Sequence, residues 1–349
     1  MGLAIVMTPI SISIAKKLKI IDTPRDGRRM HEKPIPRFGG LAIFVATTIT
    51  ILMAANGNDK VQTALIGGSF MYLLGVLDDI KDIKAGYKFI GQLIIASAVY
   101  AMGLRIEFIS DYFGTTTADP NANIILSSGL AYVITILWIV GITNAVNLMD
   151  GMDGLAAGSV AIMSLSLAYV AYIHGDANGM MIVCVSLVAV AGACMGFLPF
   201  NFSPAKTFMG DGGALFLGYM IAVFSVISPL KRATFIGVVI PIFVLAVPIF
   251  DTLFAMVRRI IRHQSIMTAD KGHLHHRLTA AGFGQRRSVL IMYGIVGIMG
   301  IVAVLISREL YKDATFLTTI AILYLVIILV PKQTNKDIRK NEKKNNSKK

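Results

Sequence analysis

Long apolar runs separated by short polar connections dominate this chain. Eleven of them, centred near Ile5, Val45, Phe70, Ile95, Ile134, Leu165, Val188, Tyr219, Val244, Ile298 and Leu323, approach the roughly 20 residues a helix needs to cross a bilayer. Runs of that length with no polar face predict helices surrounded by lipid or by other helices, not half-exposed strands. The pattern therefore predicts an all-α polytopic integral membrane protein with about eleven transmembrane helices. The first run is short: Lys16 ends it, leaving about 23 Å of helix at about 1.5 Å per residue. Lys16 and Lys17 must then extend their stems toward the headgroups. Because these lysines follow the apolar run, a retained helix is expected and not a cleaved signal peptide.

Composition agrees: 55% of the 349 residues are hydrophobic and only 15% are charged, which excludes an ordinary soluble globule. The two cysteines, Cys184 and Cys194, both lie inside one apolar run, so neither a disulfide framework nor a thiolate metal site is expected. There is no Walker A sequence, no Rossmann glycine fingerprint and no repeat at 20 to 50 residues. No nucleic-acid partner is expected.

The distribution of charge gives the runs a direction. One set of alternate connections (16–37, 78–88, 143–155, 199–211, 258–287 and the end beyond 331) holds 27 of the 33 Lys and Arg residues. The opposite set holds only Lys60, Arg105, Lys231, Arg232, Arg308 and Lys312. Basic loops stay on the cytoplasmic side, so the amino terminus is expected outside and the carboxyl terminus inside. Residues 1–331 form the transmembrane domain. The basic tail 332–349 has no apolar content and is expected to be disordered.

Nearly every unusual polar cluster falls in a connection that charge assigns to the cytoplasm. Asp78 and Asp79 follow the apolar run 64–77, and adjacent carboxylates at a membrane boundary are costly unless a cation shares them. A solvated helix end is the plainer alternative. Asn144, Asn147, Asp150 and Asp153 punctuate TNAVNLMDGMDG and could face a nucleotide or a metal; a glycine-rich turn would also explain them. In NFSPAKTFMGDGG, Asn201 and Asp211 bracket a loop whose glycines admit a ligand close to the backbone. His273, His275, His276 and Arg277 suit an anion clamp better than a zinc site, for which the loop offers no Cys, Asp or Glu beyond Asp270, while a solvated basic loop stays open. Lys33 and Arg37 flank the prolines of HEKPIPRFGG, a stiff stretch that is also a positive-inside flank. Asp251, embedded in PIFDTLFAMVRR, marks either a functional site or an ion pair with Arg258 or Arg259.

HEKPIPRFGG, GVLDDIKD, NAVNLMDGMDGLA, NFSPAKTFMGDGG, PIFDT and GHLHHRL occur in this order, and together they resemble the polyprenyl-phosphate N-acetylhexosamine-1-phosphate transferase family. Within it, the HLHH form and an eleventh span look like the branch that uses UDP-N-acetylglucosamine to begin teichoic acid or O-antigen, and unlike the muramoyl-pentapeptide branch with consecutive histidines. The resemblance implies a cell-membrane enzyme working at the cytoplasmic face with Mg²⁺, Mn²⁺ being a tolerable substitute. Its partners would be undecaprenyl phosphate, UDP-N-acetylglucosamine and the bilayer, with a homodimer left open. Asp78, Asp79 and Asp211 would be catalytic, with Asp211 and Asp78 at the metal. Lys33, Asn147, Asp150, Asp153, Asn201, His273, His275, His276 and Arg277 would bind substrate, with Arg37 and Asp251 as further candidates.

Two alternatives compete. The same chemistry could use UDP-MurNAc-pentapeptide or UDP-GalNAc. An ion-coupled secondary transporter would also carry intramembrane acids, yet it predicts several acids at mid-bilayer and inverted repeats, whereas only Asp251 lies well within a run.

Overall fold

A computed structural model describes residues 1–23, 34–54, 57–110, 123–174, 180–227, 236–261, 274–280 and 282–329. Among them the chain is helical throughout, with two short hairpins. Helices α1 (Gly2–Leu18), α2 (Gly40–Ala54), α3 (Asp59–Lys81), α4 (Ala85–Ala101), α5 (Ser128–Met149), α6 (Leu155–Ile173), α7 (Met180–Asn201) and α8 (Gly210–Ile227) form the first two thirds. The rest is α9 (Ile236–Val244), α10 (Ala246–Ile261), the short α11 (Leu274–Ala280), α12 (Gln285–Ser307) and α13 (Tyr311–Leu329). Strands β1 (Ile21–Asp22) and β2 (Ile35–Pro36) pair antiparallel before α2, as do β3 (Phe108–Ser110) and β4 (Asn123–Ile125) before α5.

Every one of the eleven apolar centres falls in a helix or at its last residue. Six described helices, α3, α5, α6, α7, α8 and α12, are long and apolar enough to cross a membrane, and α2 is a shorter apolar helix. The ninth run is not one rod. It breaks at Leu245 into α9 and α10, because Pro248 has no N–H to give to the Val244 carbonyl and the hydrogen-bond ladder is interrupted there.

Helix α8 is the axis of the bundle, with Phe216, Tyr219 and Phe224 fully buried. It packs against α3, α5 and α2, while α6 packs on α7 and α12, and α10 lies between α5 and α12. In lipid, helices gain little by hiding apolar surface from each other, so close approach through small residues takes over. Gly75 shows this at the α3–α8 contact: a Cβ there would stand 2.4 Å from the Asp211 carbonyl oxygen. Large side chains on the outer faces, such as Phe70 and Leu73 of α3 or Ile94 of α4, are exposed, as suits surfaces solvated by acyl chains.

Candidate active site

The site is assembled where α3 ends and α8 begins. Asp78 and Asp79 lie in the last turns of α3, and Asp82 in a left-handed conformation (φ 50°) closes that helix, turning the chain into α4. Successive residues on a helix point about 100° apart, so the two carboxylates part company. The Asp79 carboxylate, 1% exposed, accepts from the backbone N–H of Asp211 at 2.9 Å and of Gly212 at 3.0 Å, capping the N-terminus of α8. Gly210 supplies the φ of 76° that brings this end of α8 against Asp79. Asp78 instead accepts from the Ile83 N–H at 2.8 Å and from Lys88 Nζ at 2.7 Å.

Two cations bridge these acids. Arg37 reaches Asp79 Oδ1 at 3.1 Å and Asp211 Oδ1 at 2.9 Å, and Lys88 in the first turn of α4 reaches Asp78 Oδ2 and Asp211 Oδ2 at 2.7 and 2.8 Å. Both oxygens of Asp211 therefore carry a cationic side chain. Burial disfavours charge on Arg37, but Asp79 and Asp211 outweigh it and hold the guanidinium pKa above its ordinary value.

The three polar loops are stitched to this core through their backbones. Residues 36–40 pair with 207–209: Phe208 and Thr207 donate to the Pro36 carbonyl, Gly39 to Phe208 and Gly40 to Met209. That pairing places Arg37 over Asp79 and Asp211. Asn201 is 2% exposed; its Oδ1 accepts from Gly154 N–H at 3.1 Å and its Nδ2 donates to the Thr207 carbonyl at 3.0 Å. Asp153 accepts from Ala205 N–H at 3.1 Å. These two side chains thus join the MDGMDG turn to the NFSPAKT loop. Tyr293 of α12 donates to the Gly154 carbonyl and holds the same turn from the other side.

Asp150 ends α5 and makes no such bond among the described residues. Burial pushes it well above the usual carboxylate range, the Asp211 charge pushes the same way, and Arg37 opposes. Asn147, one turn earlier, has a buried Nδ2 with no hydrogen-bond partner among the described residues, a donor available to a ligand. Asn144 pairs with Gln92 of α4, which is fully buried.

The histidine motif sits apart. Lys33 and His273 lie outside the described residues. His275 and His276 are on α11, with Arg277 exposed beside them. Asp251 of α10 accepts from the Leu274 N–H at 2.8 Å and so ties α11 to α10. Asp251, Arg258 and Arg277 line one cavity of about 510 Å³ whose walls are otherwise mostly apolar, built by α9 to α13. Lys88 is the residue that sequence reasoning missed.

Lys88 Nζ marks a point within 2.8 Å of both Asp78 and Asp211, so the two carboxylates can share one cation. Among the described residues no three His, Cys, Asp or Glu side chains converge to hold a metal alone. Two carboxylates that can share one cation are the kind of partial donor set Mg²⁺ takes, with waters and substrate phosphate oxygens completing it.

Residues 61–229 match the glycosyl transferase family 4 model. The chain is 42% identical to a probable undecaprenyl-phosphate N-acetylglucosaminyl 1-phosphate transferase of Bacillus subtilis, across 93% of this chain and 87% of that protein. It is 33% identical to a decaprenyl-phosphate N-acetylglucosaminephosphotransferase of Mycobacterium leprae, across 82% of this chain and 76% of that one. It is also 32% identical to a phospho-N-acetylmuramoyl-pentapeptide-transferase of Bacillus mycoides, across 87% of this chain and 94% of that protein.

Proposed function

The chain belongs to glycosyl transferase family 4, and from that premise we propose that it moves N-acetylglucosamine 1-phosphate from UDP-N-acetylglucosamine to undecaprenyl phosphate. UMP leaves, and undecaprenyl-diphosphate-N-acetylglucosamine is the first lipid-linked unit of an envelope polymer such as wall teichoic acid. The family transfers sugar 1-phosphate to polyprenyl phosphate, and this protein is a multi-pass membrane transferase. The observation that carries the reading is the convergence of Asp78, Asp79 and Asp211 with Arg37 and Lys88 at one helix junction, in a chain 42% identical to a transferase of that name.

An oxygen of the acceptor phosphate attacks the sugar-linked phosphorus. A new phosphoanhydride forms as the bond to the UMP oxygen breaks, so one anhydride replaces another. Two polyanions must meet, and alignment with charge neutralisation does most of the work. Mg²⁺, or Mn²⁺ in its place, when bound by Asp211 and Asp78 supplies positive charge to the diphosphate and makes UMP a better leaving group. Asp78 orients the acceptor phosphate or takes its proton. Asp79 and Arg37 fix the end of α8 and hence the aim of Asp211. Asn147 and Asp150 meet the uridine, with Asp153 and Asn201 shaping the loops around it. His273, His275, His276, Arg277 and Lys33 clamp phosphate oxygens. A phosphate monoester is already nucleophilic, so no covalent enzyme intermediate is needed.

The topology belongs to the same proposal: eleven spans, the amino terminus outside, and the site at the cytoplasmic end, where 27 of 33 basic residues and every site residue but Asp251 fall. Purified protein in detergent with Mg²⁺ and undecaprenyl phosphate, offered UDP-N-acetylglucosamine, UDP-GalNAc or UDP-MurNAc-pentapeptide in turn, tests the donor. UMP release is expected with the first; faster release with the muramoyl donor would move the chain to the other branch.

A further inference from the structure

The carboxylates that the proposed function gives to a divalent cation are already shared by an ammonium group. Lys88 Nζ sits between Asp78 Oδ2 and Asp211 Oδ2, and Arg37 occupies the remaining oxygen of Asp211. A divalent cation reaching both acids must stand close to that Nζ, and two cations cannot share the space. Resting on that functional reading, we infer that Lys88 is a place-holding cation: its ammonium leaves Asp78 and Asp211 when the divalent cation enters, and the two occupants exclude each other.

The choice of Lys88 over Arg37 follows from how each is held. Arg37 is pinned at both ends, through Asp79 to the N-terminus of α8 and through the backbone pairing of residues 36–40 with 207–209. Its planar fork matches the two carboxylates it spans. Lys88 is a point charge on a four-carbon stem, 20% exposed, and its withdrawal breaks no backbone pairing. The acids keep their aim without it, because Asp78 still accepts from Ile83 N–H and Asp211 still holds Arg37. Charge points the same way. Asp78, Asp79 and Asp211 face Arg37 and Lys88, a net of −1; exchanging Lys88 for a divalent cation brings the group to neutrality, whereas adding the metal beside Lys88 would leave an excess of +1 in a largely buried corner.

The test is Mn²⁺ binding to the full-length protein in detergent, read by electron paramagnetic resonance of the free ion. Lys88→Gln is expected to bind Mn²⁺ roughly tenfold more tightly than the parent, since the competing occupant is gone, while Arg37→Gln should gain nothing. Equal or weaker binding by Lys88→Gln, or tightening in Arg37→Gln instead, overturns the exchange. If the parent takes up no Mn²⁺ that Asp211→Asn abolishes, the metal reading itself falls and the exchange with it. A second readout does not depend on a variant folding. Acylation of Lys88 in the parent, followed by mass spectrometry of its peptide, should rise several-fold when Mn²⁺ is added; unchanged or reduced labelling contradicts displacement.

Discussion

The α3–α8 junction and the α10–α11 corner each gather charged side chains, and they are built in opposite ways. At the junction three acids and two cations are linked to one another and to the start of α8, and a glycine lets two helices touch backbone to backbone. At the corner, the histidine helix is seven residues long and is tied to α10 by the Leu274 N–H bond to Asp251, beside an apolar cavity. Three acids and two cations thus fix one another's geometry at the junction, whereas the histidine motif is carried on a short separate helix.

The largest effects should therefore come from the junction. Asp211→Asn and Asp78→Asn are each expected to lower UMP release by at least about a hundredfold, the scale of losing a positioned acid or metal ligand. Asp79→Asn should lose as much activity and also stability. An amide NH₂ cannot accept from both α8 N–H groups and Arg37, and breaking a buried charged pair costs about 3–5 kcal/mol. Thermal melts separate it from Asp78→Asn, which should lose less stability, because its amide oxygen still accepts the Ile83 N–H and Lys88 keeps Asp211 as a partner; equal melting of both variants would break the distinction between aiming and structural acids.

Gly75→Ala comes next. Its methyl would sit 2.4 Å from the Asp211 carbonyl oxygen, a backbone atom that cannot yield without moving α8. About 1–3 kcal/mol of stability should be lost, with about a tenfold fall in turnover as the carboxylate is displaced. Unchanged turnover would show that the junction tolerates a shift the account forbids. Asp251→Asn should stay within about threefold of the parent, because an amide oxygen can still accept the Leu274 N–H at modest cost. A loss as deep as that of Asp211→Asn, in folded protein, would place Asp251 among the reacting groups.

The smallest effect is a pH trend at Asp150. Its folded pKa is raised by burial and by the Asp211 charge, so the folded chain binds that proton more tightly than the unfolded chain, where about 3.9 is usual. The stability that the neutral carboxyl lends is complete below the unfolded value and is lost as pH rises through the folded one. Asp150→Asn keeps the neutral form at every pH. Its melting temperature relative to the parent should rise between pH 5 and pH 8.5; a falling difference would reverse the assignment.

Much of the site was legible because membrane helices leave polar residues few places to go. Asp78, Asp79, Asp150 and Asp211 stood out against apolar runs, and they do meet. Lys88 was hidden by being counted as one more basic residue in the 78–88 connection. The readable signal was Lys88 and Gln92, four apart on one face of the otherwise apolar α4. Asn201 and Asp153 read as ligand contacts from type and spacing alone. That Asn201 binds Gly154 and Thr207, and Asp153 the Ala205 N–H, depends on how distant loops fold together, which no local pattern reports. The break at Leu245 was written in Pro248, yet a run that is apolar on both sides of a proline still reads as one span.

The most direct measurement is the lipid product itself. Parent and Asp211→Asn proteins, each with Mg²⁺, UDP-N-acetylglucosamine and undecaprenyl phosphate, are followed by mass spectrometry of the lipid extract alongside UMP. Undecaprenyl-diphosphate-N-acetylglucosamine is expected in one-to-one amount with UMP from the parent and almost none from Asp211→Asn. UMP released without that lipid, or full product from Asp211→Asn, would contradict transfer at the α3–α8 junction.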